Sequence, residues 1–192
     1  VLNDQKKMSV TAQAGTFFAD DSLRPPLLWT IDMRQNLQRT LDFLNGLIDL
    51  NEPDRANDAD NRWTDRATVD AHAYVGYTYD YYFRRFGRKG LDNNNIQLAS
   101  LVHTVDRNTV FSQPPSIQNS FFLNAFYAGD GIMVYGEGLP PNVTYGGQFW
   151  NYLAGALDVT AHELSHGVTE FSSNQIYRNE SGALNESFSD MM

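Results

Sequence analysis

Apolar residues change their spacing several times along this chain, and each change predicts an element. Leu37, Leu41, Leu44 and Ile48 recur every three or four positions, the period of a helix with one buried face. Residues 68–85 contain no Pro and one Gly, and Val69, His72, Ala73, Gly76, Tyr79 and Phe83 fall on one stripe, so a long helix is expected there. Residues 98–105 are apolar and β-branched, which predicts a strand. Two further apolar runs, 120–127 and 132–135, flank Gly129-Asp130-Gly131 and read as a hairpin. Leu153, Ala156, Leu157, Thr160, Ala161 and Leu164 then predict a second long helix over 148–170, and 183–192 a third.

Polar or Gly- and Pro-rich stretches separate these elements. Pro25-Pro26 and Pro114-Pro115 mark loops, 92–95 a turn, 136–147 a longer loop and 174–182 a connector. The Asp- and Asn-rich segment 51–65 reads as a loop. Its Asp58-Ala59-Asp60-Asn61 opens like a calcium-binding EF-hand, but Arg62 and Trp63 stand where a ligand and a Gly are needed, so that match fails. No internal repeat or low-complexity segment interrupts the pattern.

Composition narrows the picture. In 192 residues, hydrophobic side chains make up 42 % and charged ones 19 %, the balance of a globular chain. A net charge of −9 repels phosphate backbones, which argues against a nucleic-acid partner and suits a soluble secreted protein rich in carboxylates. No run is long and apolar enough for a membrane span, and Val1 opens no signal peptide. A chain beginning at Val fits a mature protein cut from a precursor as well as a trimmed chain. With no cysteine, any zinc has to be held by His and carboxylate.

Such a set is present. His162-Glu163-Leu164-Ser165-His166 lies inside the predicted helix. Residues i and i+4 sit about 40° apart around a helix axis, so both imidazoles can reach one ion, whereas Glu163 points about 100° away. From there it can act on a water as general base rather than as a ligand. Five residues of this kind recur by chance. Twenty positions after His166, however, comes Glu186, with Asp190 four further on and so on the same helix face. One carboxylate can bind metal while the other accepts a hydrogen bond from a ligand imidazole. Three protein ligands leave a fourth position open, the arrangement of a catalytic site.

Several blocks in order resemble the thermolysin family of zinc neutral metalloendopeptidases. They are Asp70-Ala71-His72-Ala73-Tyr74-Val75-Gly76, Asn124-Ala125-Phe126-Tyr127, Met133-Val134-Tyr135-Gly136-Glu137-Gly138, Asp158-Val159-Thr160-Ala161 leading into the His-Glu motif, and the run from Tyr177 through Ser181-Gly182 to Asn185-Glu186. They span about residues 55–192. The resemblance implies zinc on His162, His166 and Glu186, Glu163 as base, and Asp190 orienting a ligand His. It further implies Tyr177 beside the oxyanion, Asn124 and Ala125 bonding the backbone of a peptide docked as an added strand, and Asp158 as a calcium ligand. Tyr127 departs from the Trp usual in its block.

The resemblance also implies an α+β fold: an N-terminal domain, 1–150, with a largely antiparallel sheet and long helices, then the active-site helix and the start of a helical domain, 151–192. The rest of that helical domain would come from a complementary C-terminal segment or chain. The implied activity is secreted, extracellular hydrolysis of internal bonds in peptide or protein substrates, by an enzyme derived from a zymogen. Two other readings stay open. A zinc aminopeptidase uses the same motif but needs an acidic block for the free amine, and none precedes His162. A zinc-binding fragment that is inactive alone is the other.

Overall fold

A computed structural model of the chain describes residues 5–173 and 175–192. Three short strands, β1 (Thr11–Gln13), β2 (Thr16–Phe18) and β3 (Asp20–Asp21), lead into β4 (Leu28–Asp32). Helix α1 (Leu37–Leu44) is capped by the Asn36 side chain, which accepts from the Arg39 N–H. After β5 (Asn57–Asp58) comes α2 (Arg66–Phe86), the longest helix. Asp65 caps its start, and Gly87, at φ 68°, ends it by returning its N–H to Tyr82 and Phe83 carbonyls. Then follow β6 (Leu98–Val102), α3 (Pro115–Phe121), β7 (Ala125–Tyr127) and β8 (Ile132–Tyr135). A small hairpin of β9 (Thr144–Tyr145) and β10 (Gln148–Phe149) precedes α4 (Leu157–Ser172) and α5 (Asn179–Met191).

The central sheet has the order β3-β4-β6-β8-β7, which makes β7 an edge strand. The fold is α+β, as expected, and the sheet edges and small sheets are antiparallel. The inner pairs β4–β6 and β6–β8 are parallel instead. Helices explain this: α2 crosses from β4 to β6 and α3 lies between β6 and β8, and a helical crossover returns the chain in the same direction.

Alternation along the strands gives the sheet two apolar faces. Leu28, Leu98, Val102, Met133 and Tyr135 join one core with Ala71 and Val75 of α2 and Leu164 and Val168 of α4. Ile31, Leu101 and Val134 point the other way, toward Phe121 of α3 and the apolar side of α1. Helix α4, which carries His162 and His166, is therefore laid against the sheet beside α2.

Several expected boundaries move, α5 among them, which begins at Asn179 and not at 183, and one expected buried position changes. The first hairpin arm shortens to β7, because Pro115 pre-sets the first turn of α3 and residues 115–121 wind up before the strand begins. The helix expected from 148 starts only at Leu157. Leu153–Gly155 is a 3-10 turn and Ala156 is extended at φ −116°, so Ala154 turns inward there and Leu157, expected on the buried stripe, is exposed. Phe83 is on the surface, stacked on Tyr79, and Tyr82 takes the buried place. Residue 174, the first of the expected connector, and residues 1–4 lie outside the described residues.

The two histidines outside the motif are structural. His72 is buried, its Nδ1 3.0 Å from Thr30 Oγ1 and its Nε2 2.8 Å from the Ser9 carbonyl, and burial lowers its pKa. His103 caps the end of β6 in the left-handed region at φ 53°. Its Nε2 lies 2.8 Å from Asp65 and its Nδ1 3.6 Å from Glu137. Burial opposes the imidazolium, but the two carboxylates outweigh it and raise the pKa to about 10. The folded state therefore holds this proton more tightly than the unfolded chain does. The stabilisation is complete below about pH 6.5, the ordinary His value, and is lost as pH rises toward 10. Comparison of His103→Gln with the unsubstituted protein is expected to show a stability deficit of about 1 kcal/mol at pH 6, discounted for the half-exposed Asp65, that closes by pH 10. Thermal unfolding at both pH values checks it, and a pH-independent deficit would contradict the charge argument.

Candidate metal centre

Helix α4 is pinned by polar contacts on its buried side. Ser165 Oγ lies 2.6 Å from the Tyr82 hydroxyl of α2 and donates to the Ala161 carbonyl, while the Tyr135 hydroxyl donates to Thr160 across 3.3 Å. Helix α5 packs along α4 and carries Asn185, Glu186, Ser189 and Asp190 toward it. These contacts fix the rotation of α4, so that His162, His166 and Glu163 all line one open cavity of about 750 Å³.

The two imidazoles are held from behind. His162 Nδ1 lies 2.8 Å from Asp190 Oδ1, and His166 Nδ1 lies 2.8 Å from Asn185 Oδ1 with Ser189 Oγ at 3.2 Å. Carboxylate and amide oxygens only accept, so Nδ1 carries a proton in each ring, and the neutral form of each imidazole offers its Nε2 lone pair to a metal. Those two Nε2 atoms are 3.1 Å apart. Glu186 Oε2 is 3.1 Å from His162 Nε2, and Glu186 Oε1 is 3.6 Å from His166 Nε2. Electron pairs converging this closely call for positive charge among them, which a shared proton or a bound metal cation supplies. Two donors each about 2.0–2.1 Å from a tetrahedral ion lie about 3.4 Å apart, so the set fits zinc. Among the described residues these three form the one grouping of three or more His and carboxylate side chains close enough to hold a metal.

Glu163 stands beside that grouping. One carboxylate oxygen is 3.9 Å from His166 Nε2 and accepts the Tyr127 N–H at 3.2 Å. Its side chain is only 14 % exposed, and burial raises its pKa; nearby Glu186 adds to the rise, while His166, His162 and the Tyr127 N–H work against it. A carboxylate shifted upward is better matched to taking a proton near neutrality.

Along the opposite wall runs the edge strand β7. The Ala128 N–H bonds to Ile132, so the alternation of a ladder turns the backbone groups of Ala125 and Tyr127 to the open side. Asn124 is exposed on this wall, and Tyr177 is 64 % exposed across the cavity, its ring 5.9 Å from that of His166. Asp158 is not part of the cluster. It is exposed in the first turn of α4, where its carboxylate accepts the Val159 N–H and a negative charge favours the helix N-terminus. Sequence reasoning missed Asn185. The one available signal was its place beside Glu186, four residues before Ser189, on a helix already expected to face the histidines.

The chain was compared with known proteins. Residues 1–170 match the family model of the thermolysin metallopeptidase catalytic domain. A bacillolysin of Brevibacillus brevis is 37 % identical over 193 residues, covering all of this chain and 30 % of the relative. One from Bacillus cereus is 38 % identical over 196 residues, covering all of the chain and 28 % of the relative, and an extracellular elastase of Staphylococcus epidermidis is 36 % identical over 191, covering all of the chain and 32 % of the relative. The chain thus spans about three tenths of the length of these curated relatives. A solved structure of the precursor of protealysin, a metalloproteinase from Serratia proteamaculans, superposes with a TM-score of 0.61 at 27 % identity, over 99 % of this chain and 45 % of that one.

Proposed function

Because this chain belongs to the thermolysin metallopeptidase family, we propose that it carries the catalytic centre of a secreted zinc endopeptidase. The observation that carries this reading is the convergence of two Nε2 lone pairs and one carboxylate, with both Nδ1 atoms already committed behind them. His162, His166 and Glu186 would hold the metal. Bound zinc supplies Lewis acidity toward a carbonyl oxygen and a water.

The remaining steps belong to the chain. Ala125, through its backbone groups on the open edge of β7, and Asn124, through its exposed side-chain amide, hold the backbone of an extended peptide. Glu163, partly desolvated, takes a proton from water as the water attacks the carbonyl carbon. It then delivers that proton to the leaving nitrogen, so it ends each turnover ionised again. The Tyr177 phenol donates to the oxyanion as the carbonyl becomes tetrahedral. The division into 1–150 and a helical part from 151, with the cleft between, belongs to the same proposal. So does a complementary segment, supported by the exposure of Leu184 (54 %) and Met191 (70 %) on α5, although Phe188 is already partly buried against the core. Extracellular action is supported by the relative named an extracellular elastase, and no helix among the described residues is long and apolar enough to cross a membrane.

Cleavage of peptides blocked at both ends tests the reading. Zinc-dependent internal cuts, abolished by chelation and restored by zinc, are expected. Cleavage confined to peptides with a free amine would favour an aminopeptidase, and zinc binding without turnover an inert zinc-binding module. A second expectation concerns the groups behind the histidines. Asn185→Ala removes a buried partner and should weaken zinc binding by about 100-fold, whereas Asp190→Asn, at an exposed position, should cost about 10-fold. Competition with a chelator measures both. Unchanged affinities would reduce the two contacts to packing.

A further inference from the structure

On the face of α4 that carries His162 and His166, the next residue at the same spacing is Glu170. The hairpin of β7 and β8 reaches over to it. The Tyr127 hydroxyl accepts the Gly131 N–H at 3.1 Å and donates to Glu170 Oε2 at 2.8 Å. With its lone pair engaged on one side, the phenol proton is directed to the carboxylate on the other. Gly167 makes room for the ring: a Cβ there would come within 2.9 Å of Tyr127 Cζ. The carboxylate is thus held at one end of the cleft while staying open to solvent. Neither Lys nor Arg lines the cavity among the described residues, and Asp130 adds negative charge nearby.

We propose that Glu170, oriented by Tyr127, determines specificity by receiving a cationic side chain, Lys or Arg, of the bound peptide. The inference rests on the peptidase reading above. Glu170 stands about 6 Å beyond His166 along the helix axis. An extended peptide advances about 3.3 Å per residue, so the cationic residue lies about two positions from the bond that is cut. An ammonium or guanidinium there meets a fixed carboxylate, and a substrate carboxylate meets repulsion.

The test uses the intact, zinc-loaded protein carrying Glu163→Gln, so that peptides bind without being consumed. Affinities are measured for peptides blocked at both ends, with Lys, Leu or Glu placed in turn at each position around the central bond. Lys is expected to bind roughly tenfold more tightly than Glu at one position only, the preference shrinking as salt rises. Glu170→Gln should bring the ratio close to one, Glu170→Lys should invert it, and Tyr127→Phe should reduce it while keeping the ring. Discrimination that survives Glu170→Gln, or fails to invert in Glu170→Lys, overturns the proposal. So does a preference found only in peptides with a free amine, since the ligand would then be the amino terminus. Binding of no peptide at all by the zinc-loaded protein would defeat the peptidase reading and this inference together, whereas binding without discrimination defeats only the inference.

Discussion

Glu163→Gln is expected to leave zinc and fold in place and to lower kcat by about 10⁴-fold, the upper end of what loss of a general base costs. The upper end applies because the same carboxylate is asked to act twice, first accepting a proton from water and then donating it to nitrogen. The amide can do neither. Its size is close to that of the acid, and its carbonyl oxygen can still accept the Tyr127 N–H that Glu163 accepts now at 3.2 Å, so no cavity and no orphaned donor should arise. Stopped and steady-state assays on a blocked peptide, with zinc measured in the same sample, decide the matter. Near-normal turnover by a zinc-replete variant would take Glu163 out of the chemistry.

The second large effect concerns the metal itself. His166→Ala removes one of three donors, and the remaining two, His162 Nε2 and Glu186 Oε2 at 3.1 Å, form a two-point site. Zinc affinities in small protein sites correspond to about 10–16 kcal/mol shared among four ligands, or roughly 3 kcal/mol each, which is a loss of about 10²-fold or more. Dialysed protein should fall from one zinc per chain to nearly none by elemental analysis. The fold should persist, because the histidine faces the cavity and the core beneath α4 rests on Leu164 and Val168. Full occupancy in this variant would mean that the metal, if bound, is held elsewhere.

How much of this could be read in the sequence depends on how local each feature is. The His162–His166 pair was legible because a helix carries its own geometry: once the period is recognised, the spacing alone puts both rings on one side. The α2 and α5 helices were legible for the same reason. Strand order was not. Nothing in the apolar runs at β4, β6 and β8 says that they lie side by side in parallel; that follows from helices crossing between them, a relation among segments far apart. Asn185 was missed because its contact with His166 depends on how α5 is rotated against α4. The Tyr127–Glu170 contact joins positions 43 residues apart, and only the packing of hairpin on helix creates it. The sequence did flag Tyr127 as a departure from its block, without saying what the phenol would reach.

On the proposed peptidase reading, the open edge of β7 limits what the cleft could take. The backbone groups of Ala125 on that edge are completed by a chain that is itself fully extended, and a helix or a compact turn has nothing to offer them. A peptide inside a folded protein has to come loose over several residues before it fits. Attack on native proteins would then follow the free energy of their local unfolding more closely than their sequence, and denatured chains would be cut wherever side chains permit. Stability, in the target, would then be the main protection against such a peptidase.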